Sequence, residues 1–318
     1  MNITVIGHLC KDIIHPPENS QPENGKPPEE RFGGIVYSVA TLAGLMSEQD
    51  RIYPVFGVGN GDHEELMEFL KRYPNVDTSG VFKFKGRTNR VRLFYQNDNS
   101  ARIECSENIS PPIPYSRIKP YLDSDGILVN MISGSDIALE TLDQIRMEVR
   151  DRRTPIHFDF HSLTLGIDRE FKRFRRPLTE WRRWCFMLNS IQMSEEEAAG
   201  LTTERYDQNS LINHMMPLMV TALVITRGSR GATLILQDIH KKLTKHEIDG
   251  VSAGPSVDTT GCGDVFGATF LYASLRTKDH FQAAQEANRA AAVKATFAGP
   301  ERLSQITRDV QSLPAIPH

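Results

Sequence analysis

The chain has 318 residues, of which 39% are hydrophobic and 24% are charged, and its formal net charge is -3. This composition is typical of a globular protein, with apolar material for one large α/β domain or two medium ones. The near-neutral charge argues against general nucleic-acid binding, and no apolar run reaches the ~20 residues of a membrane span. The four cysteines form no CxxC pair and are typical of reduced thiols. Because no signal-peptide pattern is present either, we expect a cytoplasmic protein.

The first elements combine a buried strand with a polar excursion. Asn2–Gly7 predicts a short strand, and Asp12 follows it closely. A carboxylate there can accept hydrogen bonds from two adjacent hydroxyls, although a solvent-exposed Asp at a strand end is the alternative. Residues 15–31 are polar and rich in proline, and Asn24-Gly25 is typical of a hairpin turn. We expect an edge hairpin or a loop there.

Two glycines and a second excursion follow. Gly33 and Gly34 precede an apolar helical run that includes Ser38. Glycines allow the backbone to approach a ligand closely, whereas a plain helix N-terminus is the alternative interpretation. Residues 81–105 alternate in strand fashion on both sides of the polar turn at 96–100, which predicts a hairpin.

The middle of the chain alternates between strand and helix. Strand patterns at 126–130 and 155–160 flank a helical pattern at 136–152. This alternation predicts a parallel sheet covered by helices. His157 and His161 have the spacing of a helical metal-binding pair, but they lie in or just after a strand pattern. Metal binding there is therefore the weaker interpretation.

A basic run covers residues 169–183. In a near-neutral protein such a run favours a solvated face over a site for an anionic effector or partner. A strand is predicted at 185–189. Ser194 with Glu197 three residues later is typical of a capping box at a helix start.

A glycine hairpin and an alanine-rich helix come next. Residues 221–236 read as two strands around a turn that contains Thr226, Gly228 and Gly231. The turn is either a bare hairpin or a nucleotide site where the backbone comes close to phosphate and the Thr hydroxyl reaches it. The later alanine-rich helix carries Asn288.

The stretch Asp258-Thr-Thr-Gly-Cys-Gly-Asp264 places two carboxylates around a glycine turn that feeds a helix. The N–H groups of Gly261, Cys262 and Gly263 then lie at the positive end of the helix dipole, which is an anion site. Asp264 stands beside that site and can accept a proton from a hydroxyl. An anion site with a carboxylate base is suited to phosphoryl transfer onto an alcohol. A glycine turn that merely caps an ordinary helix is the alternative.

This stretch resembles the C-terminal signature of the pfkB, or ribokinase-like, carbohydrate kinases, and the resemblance runs from about Asn2 to Gly299. It implies an α/β protein with the three-layer α/β/α ribokinase-like fold, a mostly parallel central sheet and a small β lid. The implied organisation is one kinase domain spanning residues 1–318, with lid segments at about 12–33 and 81–108. At positions where the family usually carries Asn, this chain has Cys10, Ser38 and Ser194.

The resemblance also implies roles for individual residues. Asp264 would be the catalytic base, with the 261–263 amides as the anion hole. The substrate-binding residues would be Asp12, Gly33, Gly34 and Ser38, and the ATP-binding residues would be Thr226, Gly228, Gly231 and Asn288. Glu197 would organise Mg²⁺ indirectly through water, and Asp258 would be linked to a monovalent cation, commonly K⁺.

We therefore expect an ATP-dependent kinase that phosphorylates a hydroxyl of a sugar or a sugar-like compound, with ATP, Mg²⁺ and K⁺ as the implied cofactors. The partners would be the small-molecule sugar and ATP, with no nucleic acid and no membrane, and a homodimer is one assembly found in relatives. The alternatives are a nucleoside kinase of the same superfamily and a non-catalytic sugar- or nucleotide-binding regulatory protein on this fold. A nucleotide-dependent oxidoreductase is least favoured, because Asp62 stands where the dinucleotide fingerprint requires a third glycine.

Overall fold

The computed structural model describes residues 1–15, 29–95 and 102–314. Most of the predicted edge hairpin or loop at 15–31, its Asn24-Gly25 turn and the turn at 96–100 lie outside the described residues. Within the described ranges, no helix combines the length and the apolar character of a membrane span.

The strands of the described residues follow the chain in this order: β1 (Asn2–Ile6), β2 (Leu9–His15), β3 (Glu29–Gly34), β4 (Arg51–Gly59), β5 (Val81–Phe84), β6 (Asn89–Tyr95), β7 (Arg102–Glu107), β8 (Gly126–Asn130), β9 (Ile156–Asp159), β10 (Leu165–Ile167), β11 (Arg173–Arg175), β12 (Ser190–Ser194), β13 (Ala222–Thr226), β14 (Gly231–Gln237) and β15 (Leu243–Asp249). The helices are α1 (Ile35–Leu45), α2 (His63–Leu70), α3 (Tyr115–Ile118), α4 (Leu139–Val149), α5 (Trp181–Phe186), α6 (Glu195–Gly200), α7 (Gln208–Met215), α8 (Cys262–Thr277), α9 (His280–Lys294) and α10 (Ile306–Gln311).

The central sheet has the strand order β15-β14-β13-β12-β9-β8-β1-β4-β5. All pairs from β13 to β5 are parallel, and β14 and β15 add an antiparallel edge. Parallel strands end at the same edge of a sheet, so their last residues converge there. The predicted three-layer α/β fold with a mostly parallel central sheet is confirmed.

A smaller sheet has the order β3-β2-β6-β7. Strand β2 pairs antiparallel with β3 and parallel with β6, and β6 pairs antiparallel with β7 as the predicted hairpin. Asp12 lies within β2 of this sheet, opposite Arg31, while Cys10 lies opposite Gly33. The small sheet therefore carries Asp12 away from the central sheet and holds it beside the start of α1.

Small side chains bring the last two long helices close to the antiparallel edge. Phe266 and Phe270 of α8 pack with Ala283, Ala284 and Ala287 of α9 against apolar residues of β13 and β14, and all five are buried. Alanine permits close approach of the helix backbone, and burial of each Phe side chain contributes about 1.5–3 kcal/mol. This packing fixes the N-terminus of α8 at the edge where the parallel strands end.

The predicted strand at 185–189 is wrong. Residues up to Phe186 belong to α5, and the strand begins only at Ser190. Trp181, Trp184 and Cys185 are buried, and their i, i+3, i+4 spacing gives one face of a helix. The short apolar run was compatible with either structure, and packing of the two tryptophans decides for the helix.

Candidate active site

Two cavities meet at the loop between Asp258 and Asp264. One, the polar cavity, has a volume of about 140 Å³ and is walled by Asp12, Asp159 and Asp264 among others. The other, the glycine cavity, has a volume of about 530 Å³ and lies against the turns of β13–β15 and the helices α8 and α9. Thr259 and Gly263 belong to the walls of both cavities. Molecules bound in the two cavities would therefore approach each other at this loop.

The loop backbone depends on Gly261. This residue is the N-cap of α8 with φ of +83°, and a Cβ at this position would overlap the ring of Tyr37. Only glycine fits both conditions. The N–H of Cys262 donates to Thr259 O at 3.2 Å, so this amide already has an acceptor. The N–H groups of Gly261 and Gly263 lie at the N-cap and in the first turn of α8, where no preceding helical turn supplies acceptors.

Asp264 lies in the first turn of α8, is half-buried and faces the polar cavity. Asn130 Nδ2 donates to Asp264 Oδ1 at 2.9 Å and also to Ser38 Oγ at 2.7 Å. Ser38 Oγ in turn donates to Asp264 O at 3.4 Å. Ser38 is fully buried and is not among the residues that line the polar cavity, and its implied role in substrate binding stays a prediction. The structure places its hydroxyl behind Asn130, where it holds the amide that orients Asp264.

The Asp12 carboxyl group occupies the space next to Gly33. A Cβ on Gly33 would overlap the Asp12 carboxyl, so the missing side chain is what admits it. Cys10 Sγ donates to Asp12 Oδ1 at 3.2 Å, which gives the Cys at the family's Asn position a contact with this carboxylate. Gly34 starts α1 with φ of +63°, and a Cβ there would lie 2.7 Å from His8 O. The glycine pair thus shapes the wall that presents Asp12 to the polar cavity.

One arginine of the basic run enters the polar cavity. The Arg173 side chain is only 7% exposed, and its Nη1 lies 3.1 Å from Glu104 Oε2. The guanidinium also donates to Ser162 Oγ and to Ile132 O, each at 3.1 Å. For Arg173 the predicted solvated face of residues 169–183 is therefore wrong. Its guanidinium can be buried because Glu104, Ser162 and Ile132 accept hydrogen bonds from its N–H groups.

Asp159 adds a further carboxyl group to the polar cavity, beside Asp12 and Asp264. Gln192 Nε2 donates to Asp159 Oδ2 at 3.2 Å and to Gly263 O at 2.9 Å, which links the end of β9 to the start of α8. Burial raises the pKa of Asp159 to about 8, although the nearby His161 charge lowers it. A carboxyl group that burial shields from water is harder to ionise. At neutral pH Asp159 is thus mainly protonated.

Glu197 forms the predicted capping box with Ser194, whose N–H donates to Glu197 Oε2 at 2.8 Å. Its other oxygen, Oε1, lies 3.4 Å from Arg175 Nη1 and 3.7 Å from His161 Nδ1. Burial raises the pKa of Glu197, but the hydrogen bond and charge of His161 outweigh this and lower it. For His161, burial lowers the pKa, but Glu197 outweighs it and raises the value to about 9. Both carboxylate oxygens of Glu197 are engaged, so any contact with a metal would run through water.

The two histidines of the sequence pattern have different surroundings in the structure. His157 is fully buried, and its Nδ1 lies 2.8 Å from Ser190 Oγ. Burial lowers the pKa of His157 to about 3, so it is neutral at physiological pH. Within the described ranges no group of three or more His, Cys, Asp or Glu side chains is arranged to hold a metal ion.

The four residues assigned to the nucleotide line the glycine cavity: Thr226, Gly228, Gly231 and Asn288. Gly228 and Gly231 have φ of +59° and +91°, and a Cβ on Gly231 would overlap the backbone of Ile248. Asn288 Nδ2 donates to Asp249 O at 2.8 Å and so fixes the end of β15.

Several residues of the site were not predicted from the sequence. Asn130 and Asp159 are the last residues of β8 and β9, and Gln192 lies near the end of β12. Side chains at the carboxyl ends of adjacent parallel strands share one crevice, so the strand pattern itself was a usable signal. Arg173 offered no such signal, because it lay within a run of similar basic residues.

Comparison with known proteins agrees with this geometry. Residues 182–306 match the model of the pfkB family carbohydrate kinases. The predicted similarity to the pfkB carbohydrate kinases is confirmed. The pfkB match contains Asp264 and the residues that line the glycine cavity, while Asp12, Asn130 and Arg173 lie before it. Comparison with curated protein sequences found no significant match.

Solved structures of ribokinase-family proteins share the fold over nearly the whole chain. A pyrophosphate-dependent kinase solved with sulfate is 18% identical with a TM-score of 0.75, covering 98% of this chain and 100% of its own. Ribokinase of Arabidopsis thaliana, solved with ribose and ATP, is 18% identical with a TM-score of 0.72, covering 97% and 98%. A nucleoside kinase of Burkholderia thailandensis, solved with inosine, is 18% identical with a TM-score of 0.71, covering 100% of both chains. At this identity the likeness establishes the ribokinase-like fold.

Proposed function

We propose that this pfkB-like protein is an ATP-dependent kinase that transfers the γ-phosphoryl group to a hydroxyl of a sugar or sugar-like compound. The observation that carries the proposal is the shared wall of the two cavities at Thr259 and Gly263, with Asp264 facing the polar cavity. A phosphoryl donor in the glycine cavity and an alcohol in the polar cavity would meet at this one loop. Such positioning accounts for a large part of the barrier reduction in a two-substrate reaction.

The backbone would stabilise the charge of the transferring group. The N–H groups of Gly261 and Gly263 lie at the start of the 16-residue helix α8, where the helix dipole adds positive potential. The Cys262 amide is shared with Thr259 O, so we assign it the smaller part of the anion hole. Loss of one such donor typically lowers the rate by about 10²–10³-fold.

Asp264 would orient the acceptor hydroxyl and accept its proton. The loose transition state of phosphoryl transfer needs little early proton removal. The orientation of the acceptor hydroxyl is therefore more important than the basicity of the Asp264 carboxylate. Asn130 supports this role, because its amide donates to Asp264 Oδ1 at 2.9 Å and so fixes the carboxyl group within the wall of the polar cavity.

The polar cavity favours a compact, polar acceptor. The carboxylate of Asp12 can accept hydrogen bonds from two adjacent hydroxyls, while Val91, Leu93 and Ile132 supply an apolar wall for a carbon skeleton. Its volume of about 140 Å³ is below the roughly 300–1,000 Å³ of sites for drug-sized ligands, so a monosaccharide-sized acceptor is preferred over a nucleoside. We propose that the small sheet containing β2, β3, β6 and β7 acts as the lid of a single kinase domain.

The glycine cavity favours ATP over pyrophosphate as the donor. Val251, Phe266 and Ala291 form an apolar wall. A purine ring can pack against such a wall, whereas pyrophosphate has no apolar group that could do so. Mg²⁺ bound to the donor phosphates would neutralise their charge. Glu197 would hold it through water, since both carboxylate oxygens already have protein partners.

Two other functions remain as candidates. A nucleoside kinase is favoured by the likeness to the Burkholderia thailandensis enzyme solved with inosine. A non-catalytic regulatory protein is favoured by the replacement of the family's Asn positions by Cys10, Ser38 and Ser194, but the Asp258–Asp264 loop argues against it.

A panel of sugars, polyols and nucleosides separates these candidates. Each compound is offered with Mg²⁺ and either ATP or pyrophosphate, and release of ADP or phosphate is followed with and without the acceptor. We expect acceptor-dependent ADP release with a sugar or polyol. Preference for a nucleoside would select the second candidate, and measurable ligand binding without any turnover would select the regulatory protein.

A further inference from the structure

Lys294 is a fully buried lysine at the end of α9, directly behind the phosphoryl-binding loop. Its Nζ donates to Asp258 O at 3.2 Å and to Phe297 O at 3.0 Å, and it lies 3.7 Å from Asp258 Oδ2. The aromatic rings of Tyr37 and Phe297 lie 5.4 and 5.3 Å from the ammonium nitrogen. A buried charge persists only with such compensation.

The ammonium is connected to the anion-binding turn from two directions. Through Asp258 it reaches the loop, because Asp258 Oδ1 accepts the N–H of Thr260 at 2.9 Å. Through Tyr37 it reaches Gly261, whose missing Cβ leaves room for that ring. Backbone hydrogen bonds run in parallel, since Ala295 O accepts the N–H groups of Val257 at 2.7 Å and Asp258 at 3.2 Å. Loss of the ammonium would therefore loosen the turn.

The monovalent cation implied by the family resemblance does not fit this arrangement. Such an ion would need the carbonyl and carboxylate oxygens of Asp258, and both of these already face the Lys294 ammonium. A second cation beside it would add repulsion between like charges in a poorly hydrated place.

We infer that Lys294 is a built-in cation: its ammonium group holds the Asp258 end of the loop, and the kinase works without K⁺ or any other monovalent ion. The inference rests on the proposed function. Lys294 is a positioning residue, since it acts on the transferring group through Asp258 and Tyr37 and touches no substrate.

The test compares salts at equal ionic strength. Turnover and the thermal unfolding midpoint are measured in KCl, NaCl and tetramethylammonium chloride for the wild type, Lys294→Ala and Lys294→Met. The alanine leaves room for an ion beside the Asp258 oxygens, whereas the methionine fills the same space without charge. Lys245→Met is the matched control, because Lys245 lies on the exposed strand β15 and pairs only with Glu247 among the described residues.

We expect wild-type and Lys245→Met turnover to be equal in the three salts. Lys294→Ala should lose about tenfold in tetramethylammonium chloride, less than for loss of a direct oxyanion donor, and should recover in KCl. Lys294→Met should stay low in every salt. Activation of the wild type by K⁺, or full activity of Lys294→Ala without K⁺, overturns the inference.

The thermal readout separates this inference from the proposed function. If the wild type turns over no acceptor, the kinase proposal fails, but the cation site is still tested by unfolding. Stabilisation by KCl over tetramethylammonium chloride that is confined to Lys294→Ala supports the built-in cation. The same K⁺-specific stabilisation in the wild type contradicts it, and that comparison needs no variant that folds.

Discussion

The two cavities are built by different means. The glycine cavity, called the loop side below, draws its wall from residues between Ser194 and Ala295, and its Asp258–Asp264 turn is one continuous stretch. The polar cavity, which the proposal makes the acceptor side, brings Asp12, Glu104 and Arg173 together from three distant parts of the chain. Asp12 and Glu104 come from the small sheet, and Arg173 comes from β11, which pairs with β10 in a separate two-stranded sheet. The family match at residues 182–306 falls on the first side. Chemistry that a short backbone segment performs thus keeps a readable sequence pattern, whereas chemistry assembled by tertiary packing does not.

The two sides also hold their groups differently. On the loop side, glycines with positive φ and helix-start amides fix the geometry. On the acceptor side, hydrogen bonds between side chains do so, as for Arg173 with Glu104 and Asn130 with Asp264. Substitutions on the loop side should therefore act through backbone conformation, and those on the acceptor side through charge.

The largest effect is expected at Asp264, which faces the polar cavity next to the shared wall residue Gly263. Asp264→Asn replaces the carboxylate that would both orient the acceptor hydroxyl and accept its proton by an amide of similar size, so kcat should fall about 10²–10⁴-fold. Affinity for ATP, measured by calorimetry, should stay near the wild-type value, because the donor cavity is unchanged. A variant with near-normal kcat would show that Asp264 is not the acceptor-activating group.

The next largest effect is expected on the loop side, where substitutions of two nearby glycines, Gly261 and Gly263, can be compared. Gly261→Ala forces a side chain into a positive-φ position and onto Tyr37, so stability should fall by about 1–3 kcal/mol and turnover should fall with it. Gly263→Ala meets only ordinary contacts, 3.7 Å to Gln192 Nε2 and 4.0 Å to Asp159 Oδ2. Gly263→Ala should unfold at nearly the wild-type temperature. Its turnover should still fall, because the added methyl group lies in the wall that the two cavities share. Equal thermal shifts in both variants would contradict the difference.

On the acceptor side, Asp12→Ala should weaken sugar binding specifically. Hydrogen bonds to a charged group contribute about 1.5–3 kcal/mol, so KM for the acceptor should rise roughly tenfold to a hundredfold while KM for ATP stays unchanged. Steady-state kinetics with each substrate varied in turn provides the measurement. A parallel rise in both KM values would assign Asp12 a structural role only.

The smallest effect concerns pH. The pKa of Asp159 is about 8, so the residue gains a negative charge beside Gly263 as the pH rises through that value, and turnover should decline. Because the folded pKa lies above the unfolded value, the associated stability is complete below about pH 3.9 and is lost as the pH rises through about 8. In Asp159→Asn both kcat and the unfolding midpoint should therefore decline less as the pH rises. An unchanged alkaline decline would attribute it to another group.

Much of the fold followed from periodicity. The strand-helix alternation after residue 126 gave the parallel sheet, and Ser194 with Glu197 gave the start of α6. The failure at 185–189 has a physical cause, since a five-residue apolar run fits strand or helix and only the packing of Trp181 and Trp184 decides.

The site was predictable in proportion to its locality. The Asp258–Asp264 stretch and the glycine hairpin were visible, because their spacing is set within one turn of backbone. The burial of Ser38, the entry of Arg173 into the polar cavity and the Lys294 ammonium at Asp258 were not. Each depends on which distant side chain reaches a given point, and no spacing along the chain contains that information.

The central claim is that phosphoryl transfer occurs at the loop where the two cavities meet. Phosphorus NMR of the wild-type protein with ATP, Mg²⁺ and the best acceptor of the panel tests it most directly, with Asp264→Asn as the comparison. We predict that the γ-phosphorus signal is replaced by a phosphomonoester signal of the acceptor in the wild type and persists in Asp264→Asn. An unchanged γ-phosphorus signal in the wild type, with ATP and acceptor both bound, would contradict the account.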